Sequence, residues 1–163
     1  MTIVLEEGHQ TYLSELLPPI QLQVERMNWL VTDLQCWGDY SPPIETWQSQ
    51  SYDAAPYYSV VPGKTLYEAF AGWDMQVVWG VFCGVAGDVP ASLPDVPYAD
   101  GNRRIWSEPE VFQLASSEIE IIAWDGNFTL LKFRDEALGH QFLEAFPNGR
   151  IIRSPDDMMK SYQ

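Results

Sequence analysis

The chain has 163 residues, 46% of them hydrophobic and 20% charged, with seven tryptophans and a formal net charge of −14. Its apolar content excludes a disordered acidic tail, and its length fits a single domain, 1–163, whose core needs no staples. The charge argues against nucleic acid and anionic membranes as partners and for cationic ones.

The opening MTIVLEEGHQ lacks the basic start and long apolar run of a signal peptide, and no window reaches the roughly 18 apolar residues of a membrane span. The expected location is the cytoplasm. Ile3–Leu5 reads as a short strand. From His9 to Leu17 the apolar residues Tyr12, Leu13, Leu16 and Leu17 recur at helical spacing, and Pro18-Pro19 ends that turn. Ile20–Val24 alternates and reads as extended. Met27–Trp37 is a strand, with Leu30, Thr32, Leu34 and Cys36 on one face and Trp29, Val31, Asp33, Gln35 and Trp37 on the other. Residues 41–56 are polar, aromatic and interrupted by prolines, an irregular segment with room for a short strand near Glu45–Gln48. Tyr57–Val61, bounded by Pro56 and Pro62, reads as an edge strand.

Lys64–Ala71 predicts a short helix with Leu66, Ala69 and Phe70 inward and Gly72 as its stop. Met75–Val85 is apolar on both faces, which places it mid-sheet, and Gly80 and Gly84 on one face admit close approach of a ring or backbone. Residues 87–102, with three prolines and two glycines, form a loop. Ser107 with Glu110 suggests a capped helix ending near Ser116. Glu118–Trp124 and Asn127–Phe133 flank Asp125-Gly126, a hairpin signal. That hairpin sets Ile119, Ile121 and Ala123 against Ile122 and Trp124, and its second strand, 127–133, is open to pairing at an edge across a homodimer. Asp135–Phe146 is the strongest helix, with Leu138, Phe142, Ala145 and Phe146 as its stripe. Ile151-Ile152 and a helical turn from Pro155 complete the chain. Strands and helices mix without regular alternation, which predicts an α+β fold: a mostly antiparallel sheet with short helices packed mainly on one face.

No diagnostic catalytic motif is present. Pro62-Gly63-Lys64-Thr65 lacks the upstream glycine of a phosphate-binding loop, where Tyr58 stands instead. Cys36 and Cys83 lie in apolar runs and read as reduced, inert thiols; with His9 and His140 they make no zinc pattern. No cofactor or metal is implied. Carboxylates near rings, such as Asp33 and Asp39 around Trp37 or Asp95 and Asp100 near Tyr98, suit a hydrolase using surface carboxylates, with or without a divalent metal. With 23 acidic residues in the chain, solvated surface charge explains such neighbours equally well.

The charge is unevenly placed. Residues 1–102 hold thirteen acidic and two basic residues, a net of −11; residues 103–163 hold ten and seven, a net of −3. Aromatics cluster in the acidic part, where exposed rings among carboxylates make interface anchors. Asp33, Asp39, Tyr40, Glu45, Trp47, Tyr52 and Asp53 are the candidate binding residues. The expected function is a non-enzymatic, acidic module that binds a basic protein partner, with the carboxylate hydrolase as the alternative.

The stretches YLSELLPPI…MNWLV, GKTLYEAFAGWDMQVVWGVF and EPEVFQLASSEIEIIAWDGNFTLLKFRDEALGHQFLEAF resemble an uncharacterised family of small bacterial domains. That resemblance brings no functional residues with it. In size and charge the chain is also similar to bacterial immunity proteins, and this likeness implies an immunity or antitoxin-type inhibitor.

Overall fold

The structure is a computed structural model that describes residues 1–6, 11–37 and 58–159. Among these residues seven strands form one sheet: β1 (Thr2–Leu5), β2 (Asn28–Cys36), β3 (Tyr58–Pro62), β4 (Val77–Val85), β5 (Ile119–Trp124), β6 (Phe128–Phe133) and β7 (Arg150–Ile152). Every neighbouring pair is antiparallel, in the order β3-β2-β4-β5-β6-β1-β7. Among the described residues six short helices accompany it: α1 (Leu13–Leu16), α2 (Gln21–Glu25), α3 (Gly63–Phe70), α4 (Arg104–Ser107), α5 (Glu136–Ala145) and α6 (Pro155–Met159). The fold is α+β, and no helix of the described residues is long and apolar enough to cross a membrane.

The sheet separates two apolar layers. On one face, Leu13, Leu16, Leu17, Ile20, Val24, Leu66, Phe70, Leu138, Phe142 and Phe146 bring α1, α2, α3 and α5 onto Ile3, Trp29, Phe82, Ile121 and Phe133. The helices thus pack mainly on one face, as the sequence predicts. The other face, with Val4, Leu30, Val81, Cys83, Ile122 and Leu130, is covered by the long, mostly coil connection between β4 and β5, which contributes Val89, Leu93, Ala99 and Leu114, and Ile105 of α4. Both layers exclude water from the middle strands, which is why β4 is apolar throughout.

The strongest local signals hold. Asp125 and Gly126 both take positive φ, 52° and 62°, as the tight turn between two right-twisted strands requires. That turn sets Ile119, Ile121 and Ala123 in the helical layer and Ile122 in the coil layer. Asp135 caps α5 by accepting the Ala137 N–H at 2.9 Å. Along α5, Leu138 and Phe142 are buried but Ala145 is exposed, and Gly139 lies inward in its place. Gly84 admits the Trp29 indole: a Cβ there would lie 2.9 Å from the ring.

Four expectations are corrected. Ile20–Val24 is helical, not extended; Pro18-Pro19 opens a 3-10 turn that leads into α2, because proline at the first helical positions loses no hydrogen bond. Leu13, Leu16, Leu17, Ile20 and Val24 are one helical series. The faces of β2 are not constant along its length. Asp33 adopts φ 54°, the pairing with β4 shifts register beyond Thr32, and Leu34 and Cys36 join Trp29 and Val31 in the helical layer; an inserted residue reverses the alternation. Ser107 ends a helix instead of capping one: α4 precedes it, with Asn102 Oδ1 accepting the Arg104 N–H at 3.2 Å. Residues 109–116 stay irregular because buried side chains of the sheet claim their backbone groups. Finally, β6 is interior. The amino-terminal β1 pairs with its free side, so 127–133 offers no edge, and among the described residues the sheet ends in β3 and β7.

Candidate functional site

At the end of the sheet where β2 finishes, β4 begins and β5 turns into β6, a groove of about 570 Å³ opens. Tyr12 and Trp37 supply its rings, Asp74 and Asp125 its carboxylates, and among the described residues no lysine or arginine lines it. Trp37 is 68% exposed, a large apolar surface left in water. The groove's frame is firm. Trp37 N–H donates to Gln76 O at 3.0 Å and Gly126 N–H to Val78 O at 2.9 Å. Gln76 Nε2 donates to Gly126 O at 2.6 Å, and Tyr12 bridges Gln76. Two carboxylates beside two rings suit a guanidinium or ammonium, which gains charge-assisted hydrogen bonds and a ring face together.

Of the candidate binding residues, Asp33 is described, and its side chain tethers backbone. Its Oδ2 accepts the backbone N–H groups of Ala99 and Asp100 at 2.9 and 3.0 Å, which ties the 87–102 loop to the bulge in β2. Asp39, Tyr40, Glu45, Trp47, Tyr52 and Asp53 lie outside the described residues. Of the carboxylates considered for a hydrolase, Asp39 lies outside the described residues, and among the described residues no group of three or more His, Cys, Asp or Glu is placed to hold a metal ion. Both cysteines are free. Burial pushes the Cys36 thiol up to about 11 and the Cys83 thiol well above its ordinary value, with Glu120 adding to the effect, so neither is poised as a thiolate.

A second polar feature lies under the coil layer. Cys83, Glu120, Lys132 and Thr2 are successive partners across β4, β5, β6 and β1, and each is buried. They hold the irregular segment down. Thr2 Oγ1 donates to Pro109 O at 2.8 Å, Lys132 Nζ donates to Val111 O, and Glu120 Oε1 accepts the Leu114 N–H at 2.8 Å. Arg134 reaches Ser117 O and Ala115 O, both at 2.9 Å. Burial raises the Glu120 carboxyl above its ordinary value, against the attraction of Lys132 and the backbone N–H groups it accepts. Burial lowers the Lys132 amine, against the pull of Glu120. The sequence contains the signal for this pair. Once Asp125-Gly126 sets the hairpin register, Glu120 falls opposite Lys132 on the face of Ile122 and Leu130, and opposite charges on an apolar face mark a buried pair.

Compared with protein-family models, curated proteins and solved structures, the chain finds no match. The functional reading therefore rests on the geometry alone.

Proposed function

We propose that this chain is a non-enzymatic, acidic binding module that holds a basic protein partner, in the manner of an immunity or antitoxin-type inhibitor. The observation that carries the reading is the groove at the end of the sheet: two carboxylates and two rings, one of them largely exposed, with no cation among the described residues of its lining. An arginine or lysine of the partner enters between Trp37 and Tyr12 and is neutralised by Asp74 and Asp125. The net charge of −14 raises the encounter rate with a basic surface, and the groove supplies the specific contact.

A panel of arginine- and lysine-containing basic peptides, titrated by tryptophan fluorescence at low and at physiological salt, tests this. The triple variant W37A/D74N/D125N should weaken binding by roughly tenfold or more, since it removes both a ring contact and two charge-assisted bonds. A charge-matched control, E110Q/E144Q, alters exposed acids elsewhere and should change affinity only through the net charge. Equal losses in both proteins would reduce the groove to part of a diffuse field and overturn the assignment.

A further inference from the structure

The charge of the chain leaves unexplained a cavity of about 250 Å³ between β6 and the irregular segment above it. Lys132 lines it and is only 1% exposed. Its ammonium has three N–H donors, and the Val111 carbonyl takes one. Gln113 also lines the cavity. Its Oε1 accepts from Tyr98 N at 3.1 Å and Asn102 Nδ2 at 2.9 Å, while its Nε2 is buried with no hydrogen-bond partner among the described residues. A buried donor without an acceptor is costly and marks a place where a ligand or water belongs. The outer wall has the opposite character. Asp95, Arg104 and Glu108 are exposed there; Arg104 pairs with Glu108 at 3.0 Å and also feels Asp95, so the rim sets two carboxylates against one guanidinium. Tyr98 and Phe112 complete the sides. Lys132, whose charge also faces the buried Glu120, and Gln113 thus hold donors at the inner end, and carboxylates outnumber the guanidinium at the rim, in a space below the roughly 300 Å³ where drug-sized ligand sites begin.

We propose that this cavity binds a small α-amino acid, its carboxylate inward on Lys132 and Gln113 and its ammonium outward toward Asp95. The polarity of the cavity selects for a molecule with both charges: a simple carboxylate meets the acidic rim, and a simple amine meets the lysine. The site is separate from the acidic groove and shares no residue with it.

The full chain is titrated calorimetrically, and its melting temperature followed, with each protein amino acid, its deaminated acid and its decarboxylated amine, at up to about 10 mM, since a ligand of the native state raises stability as its concentration passes Kd. At least one amino acid should bind saturably and raise the melting temperature, with both truncated analogues about tenfold weaker or more, in line with loss of a charge-assisted bond. D95N, an exposed change that leaves the core intact, should weaken that amino acid by about tenfold, and K132M should abolish its binding. W37A in the groove should leave it unchanged. If K132M does not fold, D95N and the analogues decide. The proposal is overturned if no amino acid binds, if an analogue binds as tightly as its parent, or if D95N leaves the affinity unchanged.

Discussion

Replacing Lys132 by Met should destabilise the protein by about 3–5 kcal/mol, because it leaves the buried Glu120 carboxylate without its cation. Glu120 is fully buried, and its Oε2 has no hydrogen-bond partner among the described residues, so Lys132 is its main compensation. Glu120→Gln should cost less, about 1–3 kcal/mol. The amide keeps an oxygen for the Leu114 N–H, 2.8 Å away in the native protein, and the lysine left behind can shed its proton, which burial already loosens. The double variant removes both charges together and should lie within about 2 kcal/mol of the native protein, so the coupling energy is about 2 kcal/mol or more. Urea unfolding of the four proteins near neutral pH measures it; in a chain of this length each kcal/mol also moves the melting temperature by roughly 2–4 °C. The pH dependence gives a second reading. The folded-state pKa of Glu120 lies above the ordinary 4.5, so between the two values the folded protein binds more protons than the unfolded one, and native stability falls as pH rises through that window. Glu120→Gln should flatten that fall. A coupling below about 0.5 kcal/mol, the error of additivity for independent sites, would refute the account of the two groups as a mutually compensating pair.

Two further outcomes follow from the backbone. Asp33→Ala loses both acceptor contacts to the 98–101 turn and puts a Cβ without a side-chain partner at φ 54°. It should cost about 2 kcal/mol and speed amide exchange at Ala99 and Asp100, whereas Asp33→Gly should recover stability but not exchange protection; equal stability in the two variants would show that the dihedral carries no strain. Gly63→Ala would place a methyl 1.8 Å from the Val24 carbonyl oxygen and 2.6 Å from that of Met27, where α3 packs on α2. Thermal unfolding should register a loss of about 3 kcal/mol or more, and a loss under about 1 kcal/mol would mean that α3 slides freely against α2.

Most residues of the helical layer are legible in the sequence, because their periodicity is local. Ile119, Ile121 and Ala123 against Ile122 and Trp124 follow from strand alternation about the Asp125-Gly126 turn, and Leu138, Phe142 and Phe146 follow from the helical repeat after the Asp135 cap. The central place of β4 follows from its being apolar on both faces. The reversal at Asp33 is hidden, because an aspartate in a strand reads as a solvated position, and only the hydrogen bonds from Ala99 and Asp100 make it a bulge. The capping pair Ser107 and Glu110 is a sound local signal overruled by competition: Thr2 and Lys132 take the carbonyls of Pro109 and Val111, and a carbonyl turned toward the sheet is not available to a helix.

The sequence by itself determined the fold class, the two-faced hairpin, the buried centre of the sheet and the sign of the field around the molecule, since these depend on residue type and spacing along a short stretch. The tertiary structure alone decided which strand closes β6, what covers the second face, and which rings and carboxylates meet. The groove draws Tyr12, Trp37, Asp74 and Asp125 from four segments remote in sequence, and their meeting depends on the order in which distant strands pair, which no local pattern encodes.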